Sequence, residues 1–177
     1  MTAPAFLTVA LAAGLGVALA VTLIRQRYLV ITVEGTSMTP TLVEGDRVLV
    51  RRALLAQVAA GDLVVATSPT GGRWAGMPLP EWLIKRAAAV QGEPVPRLDA
   101  PALRALPEDT VPVGCVVLVG DNPEESLDSR ACGYFRDEQI VGVVVRQLPG
   151  VKPQPSSSPA SPRPTIIHPK DTTSWRI

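Results

Sequence analysis

Gly35-Thr36-Ser37-Met38-Thr39-Pro40-Thr41-Leu42 is the stretch on which the reading of this chain turns. It follows the apolar, β-branched run Leu29-Val30-Ile31-Thr32-Val33. It precedes the turn signal Glu44-Gly45-Asp46 and a second such run, Val48-Leu49-Val50. The pattern predicts two strands joined by a loop that carries a serine. Gly35 lets the backbone approach a ligand closely, and Pro40 fixes the path of the loop. A serine at a strand exit, on rigid support, can present its hydroxyl to a substrate. Taken alone, Ser37 reads as an ordinary polar loop serine, because Ser-x-x-Pro is a short pattern.

Outward from this loop the same kind of segment recurs. Residues 29–33, 48–52, 63–68, 82–90, 116–119 and 140–146 read as strands. Turn signals separate most of them, among them Gly61-Asp62, Ser68-Pro69-Thr70-Gly71-Gly72 and Gly92-Glu93-Pro94. Strands and helices do not alternate, which excludes a parallel α/β sheet and predicts a compact, mostly β, antiparallel domain. Residues 101–106 read as a short helical turn on a surface insertion. No internal repeat is present.

Composition narrows the chemistry. The chain has 177 residues, enough for one ordinary domain with appendages. Its formal net charge is +1, so charge gives no argument for nucleic acid as a partner, and no nucleic-acid-binding motif is present. The single histidine, His168, lies in a proline-rich tail, which disfavours both a Ser-His-Asp triad and a histidine metal site. No metal or other cofactor is expected. A hydrolase built on Ser37 needs another base, and lysine is the obvious candidate. Cys115 and Cys132 have no zinc spacing. They read either as one disulfide in an oxidising compartment or as two small apolar core residues.

Residues 3–24 are uncharged and apolar, and a helix of that length matches a bilayer core of about 30 Å. No basic segment precedes them, so a transmembrane anchor is expected rather than a secretory signal, although Ala18-Leu19-Ala20 resembles a cleavage site. Arg25 and Arg27 follow the span and by themselves would place the following domain in the cytoplasm. Residues 152–177 are rich in proline and serine without apolar periodicity, and read as disordered. The expected division is an anchor at 1–27, a catalytic β-domain at 28–150 and a tail at 151–177.

Two further stretches change the weight of Ser37. Trp82-Leu83-Ile84-Lys85-Arg86-Ala87-Ala88-Ala89-Val90 sets a lysine inside an apolar strand. By alternation Arg86 faces away from it. An isolated lysine of this kind is usually a surface residue with a buried stem. Gly120-Asp121-Asn122 and then Ser126-Leu127-Asp128-Ser129-Arg130 form the third stretch, which alone would be a polar turn with a surface ion pair.

In this order the three stretches resemble the type I signal peptidases, membrane serine proteases with a Ser–Lys dyad. The resemblance orders residues 31–145. It implies Ser37 as nucleophile and Lys85 as general base, with the domain on the outer face of the membrane. Burial among Leu83, Ile84, Ala87 and Ala89 is the physical means of lowering the lysine pKa from about 10.4. The resemblance further implies that Ser126 bonds and orients Lys85. It has Asp128 or Asp121 pair with Arg130 to hold the loop. At the position that carries a hydroxyl oxyanion donor in some members this chain has Gly35, so a second donor beside the Ser37 N–H must come from the backbone. Ile31, Val33 and Gly35 share one face of the first strand. With Leu42, Leu83 and Ile84 they are expected to line shallow pockets for small residues, as in cleavage after Ala-x-Ala. An extended substrate would pair with that strand.

The chain departs from the family at Pro123, where arginine is usual, at Ala131-Cys132, where two aromatics are usual, and at Ala89 and Gln91, where glycine and proline are usual. The short stretch between Lys85 and Gly120 leaves little room for the second β-domain of larger members. The expected partners are exported precursors that carry signal peptides, and the lipid bilayer. Two alternatives stand beside this reading: a maturation protease dedicated to one exported precursor, and a non-catalytic membrane-anchored peptide-binding domain.

Overall fold

A computed structural model describes residues 3–97 and 100–148, with the side chains of residues 3–12 and of Arg73 outside the description. The chain opens with helix α1 (Ala3–Arg27), which runs directly into strand β1 (Tyr28–Thr32). Strands β2 (Arg47–Arg52), β3 (Leu63–Thr67) and β4 (Trp82–Ala89) follow. Then come a short helix α2 (Pro101–Arg104), β5 (Cys115–Val119), a short helix α3 (Ser129–Cys132), β6 (Phe135–Arg136) and β7 (Ile140–Leu148). The strands form one seven-stranded sheet in the order β1-β2-β7-β3-β4-β5-β6, with every neighbouring pair antiparallel.

The expected mostly β, antiparallel domain is therefore found, and all six predicted strands are present. β6 and α3 were not anticipated, being too short to carry a periodic signal. Among the described residues no helix is long and apolar enough to cross a membrane. The expected disordered tail at 151–177 and His168 lie outside the described residues. No disulfide joins Cys115 and Cys132. Each instead packs in an apolar cluster.

The sheet has apolar side chains on both faces. Val64, Ala66, Leu83, Ala87, Val116, Leu118 and Phe135 form one core cluster. Val33, Met38, Leu42, Val48, Val50 and Val65 form another on the opposite side of β3. Strand alternation explains the split, because Val64 and Ala66 point one way and Val65 the other. Register shifts occur at Leu49/Val50, Val65/Ala66 and Ala87/Ala89. Such bulges bend a strand and increase its twist. The first two lie between edge strand β1 and inner strand β4, four places away, and curl the sheet enough that both line one groove.

Close packing of β7 on β2 depends on Gly142. A Cβ there would stand 2.3 Å from the Arg51 carbonyl oxygen and 3.0 Å from Arg52 Cα, both backbone atoms that cannot swing aside. Gly142→Ala is expected to destabilise the domain by about 2 kcal/mol, within the usual range for overpacking. A chemical denaturation midpoint equal to that of the wild type would show that the β2–β7 contact is looser than described.

Candidate active site

Ser37 sits in a tight turn between buried neighbours. Thr39 N–H donates to the Thr36 carbonyl at 3.1 Å and Leu42 N–H to the Met38 carbonyl at 2.9 Å. Met38 and Leu42 are each only 2% exposed. They plug the loop into the core after the serine, and Val33, also buried, does so before it, so the hydroxyl rides on a fixed support. The base of the loop is closed by Val33 N–H to the Asp46 carbonyl at 2.8 Å and Gly45 N–H to the Val33 carbonyl at 3.0 Å. Gly35 has φ +76°, a conformation that residues with a side chain rarely adopt. Among the described residues, no acceptor takes the Ser37 N–H, which leaves that donor open to a ligand.

Lys85 comes from β4, where Leu83, Lys85, Ala87 and Ala89 share the buried face. It pairs across the ladder with Val64 and is 2% exposed. Its amine lies 2.6 Å from Ser37 Oγ and donates to the Ile84 carbonyl at 3.0 Å. Burial is the main cause that lowers its pKa, from 10.5 to about 8. The negative charge of Asp128 works against that shift, Arg130 works with it, and Cys132 works against it. A substantial fraction of the amine is therefore neutral near pH 8, as a proton acceptor must be.

The third stretch wraps this pair. Asp128 is fully buried. Its carboxylate accepts from Gly120 N–H at 2.8 Å, Ser126 Oγ at 2.6 Å, Arg130 N–H at 3.0 Å and Arg130 Nε at 3.0 Å, with Arg130 Nη2 completing a bidentate pair. Burial by itself would raise the Asp128 carboxyl pKa, but these donors, Arg130 first, hold it below the usual carboxylate range. Arg130 also donates to the Gly120 carbonyl at 3.1 Å. Ser129 Oγ accepts from Leu118 N–H at 2.9 Å, which pins the loop to β5.

One expected contact differs. The Ser126 hydroxyl donates to Asp128 rather than bonding Lys85, because the buried carboxylate is the stronger acceptor for it. Of the two acids proposed for Arg130, Asp128 is the partner. Asp121 instead takes both prongs of Arg86, at 2.9 and 2.6 Å, and accepts from Thr41 Oγ1 at 2.5 Å. The Arg86 hydrogen bonds lower the Asp121 pKa. Leu42 is a core residue and does not line the groove, whereas Ile31, Val33, Leu83 and Ile84 do.

The contacts of three further residues were not readable from sequence, although the resemblance implied that Gly120-Asp121-Asn122 packs beside the Ser37–Lys85 pair. Arg86 faces away from Lys85 as alternation predicted, yet it clamps the Ser37 loop through Asp121 and Thr41. Asn122 N–H donates to the Ser37 carbonyl at 3.0 Å, and its amide donates to the Thr36 carbonyl at 3.3 Å. Gly120 is where these parts meet. A Cβ there would stand 2.2 Å from Ser126 Oγ and 2.7 Å from the Ser37 carbonyl oxygen. Only the glycine in Gly120-Asp121-Asn122 signalled that contact in advance.

The Ser37–Lys85 pair opens on a groove of about 640 Å³. β1 and the Gly35–Ser37 loop form one wall, and residues 79–85 form the other. The signal peptidase profile (peptidase S26) matches residues 4–102 and 97–148. The chain belongs to the signal peptidase family. A relative, "Probable signal peptidase I-1" of Synechocystis, is 28% identical over 134 residues, covering 62% of this chain and 65% of the relative. This chain therefore spans under two thirds of that relative's length. The resemblance read from three short stretches is borne out, and this signal peptidase family member holds two of those stretches 2.6 Å apart.

Stability should report the buried amine directly. Lys85 titrates near 8 in the fold and near 10.5 when unfolded. Between those values the unfolded chain binds more protons, so stability rises with pH. Below pH 8 the fold carries the whole cost, about 3 kcal/mol at roughly 1.4 kcal/mol per pH unit. Lys85→Met should therefore be more stable than wild type at pH 7, and the advantage should fade as pH rises from 8 to 10.5. An advantage independent of pH in paired denaturation curves would mean that Lys85 is not buried as described.

Proposed function

We propose that this chain is a membrane-anchored serine endopeptidase with a Ser37–Lys85 dyad that removes N-terminal signal peptides from exported precursors by cleaving after small residues. The observation that carries the reading is the 2.6 Å contact between a buried lysine amine and a loop serine hydroxyl. Membership of the signal peptidase family supports it independently.

The chemistry follows from the two groups. With Lys85 neutral, the Ser37 hydroxyl donates to the amine. As Oγ attacks the scissile carbonyl carbon, its proton passes to Nζ. The oxyanion forms beside the Ser37 N–H, a donor worth about 10²–10³ in rate where such donors are removed. The tetrahedral species then collapses. Lysine returns the proton to the leaving amine, and an acyl-enzyme ester remains on Oγ. Water, deprotonated by the same lysine, hydrolyses the ester. Ser126, Asp128 and Arg130 act as positioning residues around the lysine, and Asp121 as one for the Ser37 loop.

β1 is an edge strand bonded only to β2, so its free edge can accept an extended peptide by strand addition. Ile31, Val33, Leu83 and Ile84 then meet alternate side chains along the groove. The division into an anchor at 1–27, a catalytic domain at 28–150 and a tail at 151–177 belongs to the same proposal. The span at residues 3–24 would hold the domain against the outer face of the membrane, against the weak bias of Arg25 and Arg27.

Ser37→Ala should lower kcat against a precursor by several orders of magnitude. Lys85→Arg should be equally inactive, because a guanidinium stays protonated. In wild type, kcat/KM should rise about tenfold per pH unit up to a plateau near pH 8. Turnover by either variant within about tenfold of wild type ends the dyad assignment. Topology has its own test: external protease applied to intact cells should degrade the domain, and a shielded domain would place it in the cytoplasm.

A further inference from the structure

We infer that Glu34, Glu81 and Glu125 give the groove a charge preference, selecting precursor segments with a lysine or arginine within about three residues of the cleaved bond. This deepens the proposed peptidase reading and rests on it, naming the substrate class that the same groove favours.

All three carboxylates line the groove that holds Ser37 and Lys85. All three are exposed. The ion pairs among the described residues are Arg86–Asp121, Arg97–Asp109 and Arg130–Asp128, so none of the three is neutralised by a neighbour. Among the described lining residues Lys85 is the only cation, and it is buried and must be neutral when it accepts the serine proton. At the start of the reaction the groove therefore presents three negative charges and no compensating positive one. The other lining is largely apolar, and walls of low polarity focus such a field.

Placement makes the charges relevant to the reacting bond. Glu34 precedes Ser37 by three residues, a reach of at most about 10 Å of chain. Glu125 adjoins Ser126, whose hydroxyl would lie 2.2 Å from a Cβ on Gly120. That same Cβ would lie 2.7 Å from the Ser37 carbonyl oxygen. Glu81 stands on the opposite wall, immediately before β4 and four residues before Lys85. A peptide between the walls thus passes carboxylates on both sides. A substrate ammonium at the rim keeps much of its hydration, so it loses little by entering and gains Coulomb attraction. An acidic substrate residue meets only repulsion.

The test uses three peptides with an Ala-x-Ala core. Each carries Lys, Gln or Glu both at the x position and at the second residue after the cleaved bond. At about 20 mM salt the Lys peptide should exceed the Glu peptide in kcat/KM by roughly tenfold, and about 500 mM salt should reduce the ratio to under threefold. Glu34→Gln/Glu81→Gln/Glu125→Gln should bring the low-salt ratio below about twofold. The Ser37→Ala protein, which binds without turnover, should show the same order of affinities by fluorescence anisotropy. A wild-type ratio near one at low salt, or a ratio unchanged in the triple variant, overturns the inference. If no peptide is cleaved but Ser37→Ala still binds the Lys peptide more tightly in a salt-dependent way, the charge preference stands and the peptidase reading falls.

Discussion

An amine held out of water against a serine hydroxyl is the constraint around which this domain is arranged. Lys85 has a strong preference for solvent, and a short polar loop alone could not hold it inside. Backbone pairing on both sides of β4 and the apolar neighbours Leu83 and Ala87 hold its stem. The cost of that burial is what makes the residue useful, because the same desolvation that disfavours the ammonium leaves a neutral amine near pH 8.

Burial alone does not explain the local charge balance. Asp128 is fully buried close enough to act on Lys85, and its charge favours the ammonium. Left unpaired, such a carboxylate would restore much of the lysine's basicity or take up a proton itself. Arg130 settles both matters with one bidentate contact. It keeps Asp128 ionised, so that the carboxylate can anchor Gly120 and Ser126, and its own positive charge pushes the lysine pKa back down. The second pair, Arg86–Asp121, sits on the other side of β4 and is assigned to the serine loop instead. The two arginine–aspartate pairs thus have separate tasks: one acts by charge on the Lys85 amine and the other ties down the Ser37 loop.

The strands were legible because most are short apolar runs rich in β-branched residues and separated by turn signals, the alanine-rich β4 being the exception. All six start within one residue of the position read from sequence. The pairing of Ser37 with Lys85 was legible only as an ordered set of short stretches, since neither stands out from ordinary loop serines and strand lysines. What escaped was pairing between elements distant in the chain. Whether Arg130 takes Asp121 or Asp128 depends on how the loop folds over Gly120, which no local pattern encodes. Ser126 was assigned to Lys85 because chain order cannot tell which of two nearby acceptors a hydroxyl prefers. Leu42 was placed in the groove because an apolar residue after a loop looks the same from sequence whether it faces a ligand or plugs the core.

The curl of the sheet reconciles two demands that oppose each other. A lysine base needs an inner strand, paired on both sides and covered by side chains. An extended peptide needs the reverse, a strand with a free edge open to solvent. In a flat sheet with this strand order, β1 and β4 would lie about 19 Å apart, at roughly 4.8 Å per strand. Bulges in the β2–β7 and β3–β7 ladders, together with the close approach that Gly142 allows between β7 and β2, turn the sheet so that the open edge faces the buried amine. The 33–46 loop then needs only to carry Ser37 across the remaining gap, and its closure by Val33, Gly45 and Asp46 fixes where the serine arrives. The Ser37 loop, Lys85 and the free edge of β1 thus meet through backbone curvature, without a long connection between them.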